Sequence, residues 1–278
     1  MSDDFVTRAD IDRAAQFIAA RTRHQPRVGL ILGSGLNSLA DEIANAEVIP
    51  FRDIPGFPVS TVEGHSGALV IGELSGKAVI AMRGRVHYYE GYSMQRITLP
   101  IRAMRALGVA TLIVTNAAGG VNVNFHAGDL MLITDHINLV GMTGLNPLRG
   151  ANDDSLGPRF PDMTHAYDPG LCELARQVAR DAHIELREGV YIMLAGPSFE
   201  SSADVKFIRL IGADAVGMST VPEVIVARHG GMRVLGVSLI SNSLAHAHFE
   251  VNHQEVLAAG QAAVPKLAGL LTGVLAQI

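Results

Sequence analysis

Polar or small residues follow directly after several short apolar segments of this 278-residue chain. They carry hydroxyl, guanidinium, imidazole, amide and carboxylate groups, and the residues are Ser34, Arg85 with His87, Asn116, Glu200, Ser219 and Asn242. In an α/β sheet, ligands bind in the crevice outside the carboxyl ends of the strands. Because the apolar segments alternate with helical patterns, we predict that these side chains meet in one crevice. Their chemistry suits an anion together with a polar planar ring.

The anion-binding part of this prediction depends on three segments. Gly33-Ser-Gly-Leu-Asn37 lies between a predicted strand and a predicted helix from Ser38 to Ala44, an arrangement suited to phosphate. Arg85 offers a planar fork of donors, and His87 could add another donor. A predicted capping box from Thr220 to Glu223 would place the Ser219 hydroxyl at the positive end of a helix. The alternative for Arg85 is a solvated loop in which it pairs with a surface carboxylate.

The centre of the predicted crevice is the segment Leu112-Ile-Val-Thr-Asn-Ala-Ala-Gly-Gly120. Its apolar, β-branched beginning is typical of a strand buried on both faces. It then changes to Asn116 followed by alanines and glycines, which allow a ligand to approach the backbone closely. We therefore expect the segment from Asn116 to Gly120 to form the floor of the site. A structural glycine-rich turn is the alternative.

The ring-binding part depends on aromatic and amide groups. Phe199 could stack on a flat ring while Glu200 accepts hydrogen bonds from ring N–H groups. Asn242 can both donate and accept, so the pair matches the edge of a 6-oxopurine. For Glu200, the alternative is a charge that complements the start of the next helix. Phe160 lies in a long polar loop that is predicted to be functional, with local packing as its alternative.

Composition limits the function classes. The chain is 48% hydrophobic and 18% charged, which excludes disorder and allows a substantial core. Its net charge of -5 and lack of basic runs argue against a nucleic-acid partner. No apolar run approaches the roughly 20 residues of a membrane span, and the acidic N-terminus does not resemble a signal peptide. The only cysteine, Cys172, excludes an internal disulfide, so we expect a cytoplasmic protein with Cys172 as buried core filler.

Two other chemistries have weak support. The glycines near Ser34 lack the third glycine of the dinucleotide motif, and no acidic residue follows at the required distance. Three histidines, His246, His248 and His253, could suggest a metal site. No cysteine or paired carboxylate completes a known ligand pattern there, so no metal is expected.

Long motifs identify a family resemblance over nearly the whole chain, from Ser34 to His253. The sequence resembles the trimeric purine nucleoside phosphorylases in Gly33-Ser-Gly35, Gly84-Arg-Val-His-Tyr-Tyr-Glu-Gly-Tyr92, Thr115-Asn-Ala-Ala-Gly-Gly120, Gly196-Pro-Ser-Phe-Glu200 and Gly217-Met-Ser-Thr-Val-Pro-Glu-Val-Ile-Val-Ala-Arg228. The resemblance implies one domain over residues 1–278, with a phosphorylase/hydrolase-like α/β sandwich: a mixed central sheet with helices on both sides. It also implies a homotrimer.

The resemblance further implies the reversible phosphorolysis of inosine- or guanosine-type nucleosides in purine salvage. The implied catalytic residues are Asn242, Glu200 and His87. The implied phosphate ligands are Ser34, His65, Arg85, His87, the Ala117 backbone and Ser219. The implied nucleoside contacts are Tyr89, Phe160, Phe199, Glu200, Met218, Asn242 and His253. Phe160 would enter the site of a neighbouring subunit. Phosphate would be a co-substrate, and no metal or organic cofactor is expected.

One departure from the family and two alternatives remain. The segment from Ser243 to Val251 is shorter than in mammalian members and carries His246 and His248, which leaves the ribose contacts and purine range open. A methylthioadenosine phosphorylase, of the same fold, typically has aspartate at the position of Asn242 and lacks the Phe199–Glu200 pair. A non-catalytic nucleoside-binding protein would bind inosine without releasing base.

Overall fold

Nine strands and seven helices form the described part of the chain. The computed structural model describes residues 5–33, 37–60, 67–244 and 253–278, with the backbone alone for residues 253–262. The strands are β1 (Val28–Leu32), β2 (Ala44–Pro50), β3 (Ala68–Leu74), β4 (Lys77–Arg83), β5 (Thr111–Gly120), β6 (Leu130–Ile137), β7 (Leu186–Met193), β8 (Ala215–Gly217) and β9 (Arg233–Ser243). The helices are α1 (Arg8–Ala19), α2 (Met94–Ala106), α3 (Leu139–Met142), α4 (Pro169–Asp181), α5 (Ser202–Leu210), α6 (Val221–His229) and α7 (His253–Gln277).

The strands form one mixed sheet in the order β2-β3-β4-β1-β5-β8-β7-β6-β9. β1 pairs in parallel with both β4 and β5, whereas β3 is antiparallel to β2 and β4. β9 also pairs in parallel with β5, so five strands close into a ring while the other four extend from it as an open sheet. The mixed sheet was predicted, but its partial closure was not.

Helices cover the sheet in two groups. α2 packs against α1 and α6, and α4 packs against α7. The interior between these groups and the strands is a continuous apolar cluster that includes Ile31, Leu99 and Leu235, each 0% exposed. Cys172 lies in α4 with 5% of its surface exposed, and burial raises the pKa of its thiol to about 11. Its predicted role as core filler is therefore consistent with its position. No helix among the described residues is long and apolar enough to span a membrane.

Local signals predicted the beginnings of several elements correctly. The Thr7 side chain and Asp10 form the expected capping box of α1, and Asp168 caps α4 before Pro169. Ser75 and Gly76 both have positive φ, +51° and +73°, and connect β3 to β4 as a tight hairpin. Between Gly33 and β3, the prediction of a helix from Ser38 to Ala44 is wrong: a short 3₁₀ helix, Asn37–Glu42, is followed by β2.

The segment from Asn116 to Gly120, the predicted floor of the site, belongs to β5. β5 continues through Gly120 because it pairs with β9 on one side and with β8 on the other. Small residues are required here by packing: a Cβ atom at Gly119 would lie 2.8 Å from Leu244, and one at Gly120 would lie 3.0 Å from Ile240. The floor of the predicted site is therefore a strand held on both edges, which fixes its position more firmly than a loop would.

Candidate active site

One cleft collects most of the residues that the sequence singled out. It has a volume of about 320 Å³ and lies over the carboxyl-terminal half of β5 and the ends of β8 and β9. Of the predicted site residues, it is lined by Arg85, His87, Tyr89, Asn116, Ala117, Phe199, Glu200, Met218, Ser219 and Asn242. The prediction of a single crevice at the strand ends is confirmed for these residues.

Arg85 is buried at one end of the cleft, with 3% of its surface exposed. Its Nη1 donates to Oε1 of Glu223 at 3.2 Å, and the two side chains form an ion pair that is nearly inaccessible to solvent. Its Nη2 donates to the carbonyl oxygen of Thr115. The alternative of a solvated loop with a surface carboxylate is therefore wrong, because the carboxylate that faces Arg85 is itself buried. Such contacts hold the guanidinium in one orientation.

The predicted capping box between Thr220 and Glu223 is wrong. Thr220 is the N-cap residue of α6, but its side chain makes no capping hydrogen bond. Its hydroxyl instead accepts from Nδ2 of Asn116 at 2.9 Å and from Nη1 of Arg85 at 3.3 Å. Glu223 is likewise engaged by Arg85. The two side chains that could have capped the helix are used to organise the cleft instead.

Ser219 precedes this corner and contributes both a hydroxyl and a backbone amide. Its Oγ lies 3.2 Å from Oγ1 of Thr220. Its N–H donates to the hydroxyl of Tyr191 at 3.4 Å, and Tyr191 is 0% exposed beneath the loop. The Ser219 side chain is 91% buried in the cleft wall, at the start of α6 where an anion is favoured.

His87 is fixed on the same side of the cleft by Glu90. Oε1 of Glu90 accepts from the His87 backbone N–H at 2.7 Å and lies 3.4 Å from its Nδ1. The imidazole stacks on Tyr89 with ring centroids 4.9 Å apart and planes 8° apart. Burial raises the pKa of the Tyr89 hydroxyl to about 12, so it stays protonated as a donor at neutral pH.

The opposite end of the cleft has an amide and a carboxylate. The Ser241 hydroxyl donates to Oδ1 of Asn242 at 2.8 Å. Because Oδ1 of Asn242 accepts this hydrogen bond, the Nδ2 group is the donor that the amide has left for another partner. Burial raises the pKa of Glu200 above the usual carboxyl value, and the charge of Asp204 adds to the effect. The capping box at the start of α5 is formed by Ser201 and Asp204, so Glu200 is not needed as a cap.

Glycine allows the middle of the cleft to form. Gly196 has a φ of +67°, and a Cβ atom there would lie 2.4 Å from Sδ of Met218 and 3.1 Å from Tyr89. Only glycine combines this backbone conformation with such close neighbours. Phe199, which follows on the same segment, lines the cleft and is 46% exposed, so its ring is accessible to a ligand.

Four predicted residues are not placed in this cleft. Ser34 and His65 lie outside the described residues, and His253 begins α7 without a described side chain. Phe160 is described, but it is 88% exposed and does not line the cleft of its own chain. Among the described residues, no group of three or more histidine, cysteine or acidic side chains could hold a metal ion; His246 and His248 lie outside them.

Sequence reasoning missed three residues that organise the cleft: Tyr191, Thr220 as a hydrogen-bonding centre, and Glu223 as the partner of Arg85. Tyr191 had no local signal, because it occurs inside an apolar strand. Thr220 and Glu223 were noticed only for their helix-capping spacing. The position of Arg85 directly after an apolar strand was the one signal that a buried carboxylate must lie near it.

Comparisons with known proteins agree with this geometry. A model of the phosphorylase superfamily matches residues 27–276. Purine nucleoside phosphorylase 1 of Bacillus subtilis is 58% identical over 248 residues, which cover 89% of this chain and 90% of that protein. The chain belongs to the purine nucleoside phosphorylase family. The predicted family is thereby confirmed, as is the predicted class of enzyme, a pentosyltransferase.

Solved structures of the same family confirm the fold. Isoform 2 of the Schistosoma mansoni purine nucleoside phosphorylase, in complex with cytosine and ribose-1-phosphate, has a TM-score of 0.95 and 42% identity, and the match covers 100% of this chain and 99% of that chain. A Schistosoma purine nucleoside phosphorylase in complex with hypoxanthine has a TM-score of 0.94 and 40% identity, with 99% of both chains covered. The predicted α/β fold with a mixed central sheet is therefore confirmed.

Proposed function

We propose that this enzyme catalyses the reversible phosphorolysis of 6-oxopurine nucleosides, inosine and guanosine among them, to the free base and (deoxy)ribose 1-phosphate. The observation that carries the proposal is the division of one 320 Å³ cleft into two ends. One end has a guanidinium, an imidazole and a hydroxyl. The other has an amide and a carboxylate. A nucleoside and a phosphate side by side would match these two ends.

At the first end, phosphate would bind Arg85, His87, the Ala117 backbone and Ser219, with Ser34 and His65 completing the set as the family resemblance implies. Arg85 is held by Glu223 and Thr220, so its donors are oriented before phosphate enters. A phosphate oxygen then forms a bond to the anomeric carbon while the bond from that carbon to the purine nitrogen breaks. Holding the two reactants together removes much of the entropic cost of this step.

At the second end, the electron pair of the breaking bond passes to the purine, which becomes negatively charged. Asn242 would donate from Nδ2 to N7 and O6, where this charge develops. Ser241 supports the role by engaging Oδ1. Glu200 would accept from the N1 edge, and Phe199 would stack on the ring. Tyr89, Met218 and His253 would contact the ribose between the two ends.

We also propose that the enzyme is a homotrimer in which Phe160 completes a neighbouring active site. An aromatic side chain that is 88% exposed and outside its own cleft supports this role. A cytoplasmic place in purine salvage fits a chain with one, buried cysteine. The proposed chemistry requires phosphate as co-substrate and neither a metal nor an organic cofactor.

Hypoxanthine release tests the catalytic proposal. The enzyme is mixed with inosine in the presence and absence of phosphate, and hypoxanthine is detected through coupled oxidation by xanthine oxidase. We expect release that depends on phosphate, and an Arg85→Ala variant whose KM for phosphate is far higher while its preference among bases is unchanged. Tight inosine binding without release would instead identify a non-catalytic nucleoside-binding protein. An unchanged KM for phosphate would remove Arg85 from the phosphate site.

The assignment of the base is tested by Asn242→Asp. Loss of the Nδ2 donor should lower kcat/KM for inosine about 100-fold and improve the use of adenosine, whose 6-amino group can donate to a carboxylate. Asn124→Asp, which adds the same charge in an exposed loop outside the cleft, is the matched control. If Asn242→Asp leaves the kinetics with inosine unchanged, Asn242 does not contact the base and its proposed role is wrong.

A further inference from the structure

A second cavity, which shares no lining residue with the active-site cleft, contains three arginines. Its volume is about 280 Å³, and it lies between the beginning of α1, the carboxyl-terminal half of α2 and the end of α6. Ile11, Leu156 and Val226 form part of its wall. Its polar lining is formed by Arg8, Arg102, Arg105, Ser155 and Gly230. Neither the family resemblance nor the proposed reaction assigns a role to this cavity.

Arg102 lines this cavity. Within the described part of the chain it forms no hydrogen bond and no ion pair, although a guanidinium has five N–H donors. Burial lowers the pKa of Arg102, and the charge of Asp153 only partly opposes this effect. Arg102 still bears a positive charge, which helps to depress the pKa of the buried His229 nearby. The donors of this half-buried guanidinium are therefore available to an anion that enters the cavity.

The other two arginines are oriented by contacts that leave donors available. Arg8 pairs with Asp12 through Nε at 2.8 Å and donates from Nη1 to Oγ of Ser155 at 2.9 Å. Arg105 donates from Nε to the carbonyl oxygen of Gly230 at 2.6 Å. Arg102 and Arg105 are three residues apart on α2, so their side chains project on the same side of the helix.

The charges around the cavity do not balance. Three arginines face two carboxylates, Asp12 and Asp153. Asp12 is engaged by Arg8, and Asp153 accepts from the backbone N–H and hydroxyl of Ser155 at 2.9 and 2.6 Å. A net positive charge therefore remains beside Arg102 and Arg105. Planar guanidinium groups with unused donors in a partly enclosed cavity are typical of phosphate recognition.

We propose that this cavity is a second anion site, in which Arg102 and Arg105 bind a phosphate group, either free phosphate or the phosphate of a small monoester. The inference does not depend on the proposed reaction. α6 does, however, connect the two places: Ser219 and Thr220 precede its first turn in the active-site cleft, and Gly230 follows its last turn at the second cavity. A ligand bound in the second cavity would thus lie at the end of α6, and the active-site cleft lies at its beginning.

Equilibrium dialysis with radiolabelled phosphate tests the proposal by counting sites on the intact enzyme. We expect two sites per chain in the wild type. Arg102→Met and Arg105→Met should each weaken one of these sites about tenfold or more, as loss of a charge-assisted hydrogen bond implies. Arg13→Met, which removes an arginine that is 62% exposed on α1 outside the cavity, is the matched control and should keep both sites. Circular dichroism checks that each variant is folded.

The outcomes separate this proposal from the catalytic one. A single wild-type site that persists in both Arg102→Met and Arg105→Met overturns the second anion site. If the wild type has a single site and these variants lose it, the second anion site is supported. The result then shows that the active-site cleft does not bind phosphate under these conditions. Competition with ribose 5-phosphate distinguishes the sources: displacement of label from the Arg102-dependent site favours a phosphate monoester, and retention of label favours free phosphate. Inosine turnover at saturating phosphate should stay within about twofold of wild type in both variants.

Discussion

Thr220 connects three polar groups of the active site through one hydroxyl. Asn116, Arg85 and Ser219 all lie within hydrogen-bonding distance of Oγ1, at 2.9, 3.3 and 3.2 Å. The residue has a φ of +77°, which is unfavourable for a β-branched side chain and costs on the order of 1–3 kcal/mol. The surrounding contacts maintain this conformation. We infer that Thr220 positions Arg85 and Ser219 for phosphate.

Thr220→Val should therefore impair phosphate binding more than nucleoside binding. The valine has nearly the same shape but cannot accept from Asn116 or Arg85, so buried donors lose their partner at a cost of about 1–3 kcal/mol each. We expect KM for phosphate to rise about tenfold or more and the unfolding midpoint in urea to fall. Thr220→Ser keeps the hydroxyl and should restore KM to within a few-fold of wild type. Equal KM values in the valine and serine variants would contradict a positioning role.

Glu200 has a raised pKa in the folded protein because it is buried. A carboxyl with a raised folded-state pKa contributes stability below its unfolded pKa, near 4.3, and loses that contribution as pH rises through the folded value. Glu200→Gln should thus increase the free energy of unfolding at about pH 7 and have little effect at about pH 4. The same change should lower kcat/KM for inosine roughly ten- to 100-fold, since a charged acceptor is lost. If Glu200→Gln increases the free energy of unfolding at pH 4 but not at pH 7, the pKa of Glu200 is not raised in the folded protein. Glu73→Gln, at an exposed position of β3, is the control.

The corner between β8 and α6 supports the end of the cleft that we propose for phosphate. Gly217 ends β8, and a Cβ atom there would lie 2.4 Å from the hydroxyl oxygen of Tyr191. The same hydroxyl accepts the Ser219 N–H. A side chain at position 217 would therefore displace the Tyr191 hydroxyl, which supports the loop leading to Ser219 and Thr220.

Gly217→Ala should destabilise the enzyme by about 1–3 kcal/mol through overpacking and raise KM for phosphate. Removing the obstructing oxygen with Tyr191→Phe should relieve the clash, so the double variant should be more stable than Gly217→Ala alone. Chemical unfolding of all four members of this double-mutant cycle measures the coupling between the two residues. Additive effects would show that Tyr191 is not the neighbour that limits position 217.

At the level of elements, sequence patterns predicted the strands better than their connections. Buried β-branched runs identified β1, β5 and β9, because strands covered on both faces are apolar throughout. The pairing of β9 with both β5 and β6 had no such signal, since it depends on curvature and on contacts far apart in sequence. The same gap explains why a glycine-rich turn was an open alternative for Asn116 to Gly120, because small residues suit a turn or a crowded strand equally well.

For the site, the types of residue were predictable and their supports were not. Arg85 and Glu200 follow strands and Asn242 lies near the end of β9, and their polar side chains contrast with the apolar residues before them. Glu223 and Tyr191 act through other residues, and only the folded chain brings them within reach of Arg85 and Ser219. The capping pattern at Thr220 was misleading because the folded chain brings donors from Asn116 and Arg85 to this hydroxyl, which binds them and does not cap its own helix.

At the scale of the whole molecule, Phe160 tests whether copies of the chain share active sites. Phe160→Ala should lower kcat/KM for inosine about tenfold or more and leave the unfolding midpoint of the chain nearly unchanged, since the ring is 88% exposed. Leu210→Ala, at an 84% exposed position on α5, is the matched control and should retain full activity. Mixing Phe160→Ala with the impaired Glu200→Gln chain should give more activity than either variant alone if sites are shared across chains. No recovery in mixed oligomers would place Phe160 outside the neighbouring site.

The closed ring of strands has a consequence for how copies of this protein can meet. Within the described residues, β2 is the single strand that pairs on one side only, whereas the opposite end of the sheet returns to β5. β2 is interrupted by a bulge between Ala44 and Glu47, and Glu47 is bound by Arg23 at 3.1 Å. Bulges and charges of this kind discourage a foreign strand from adding to an edge. Fibrous growth by addition of strands to this sheet is thus suppressed, and any contact between copies of the chain would have to use loops and helices.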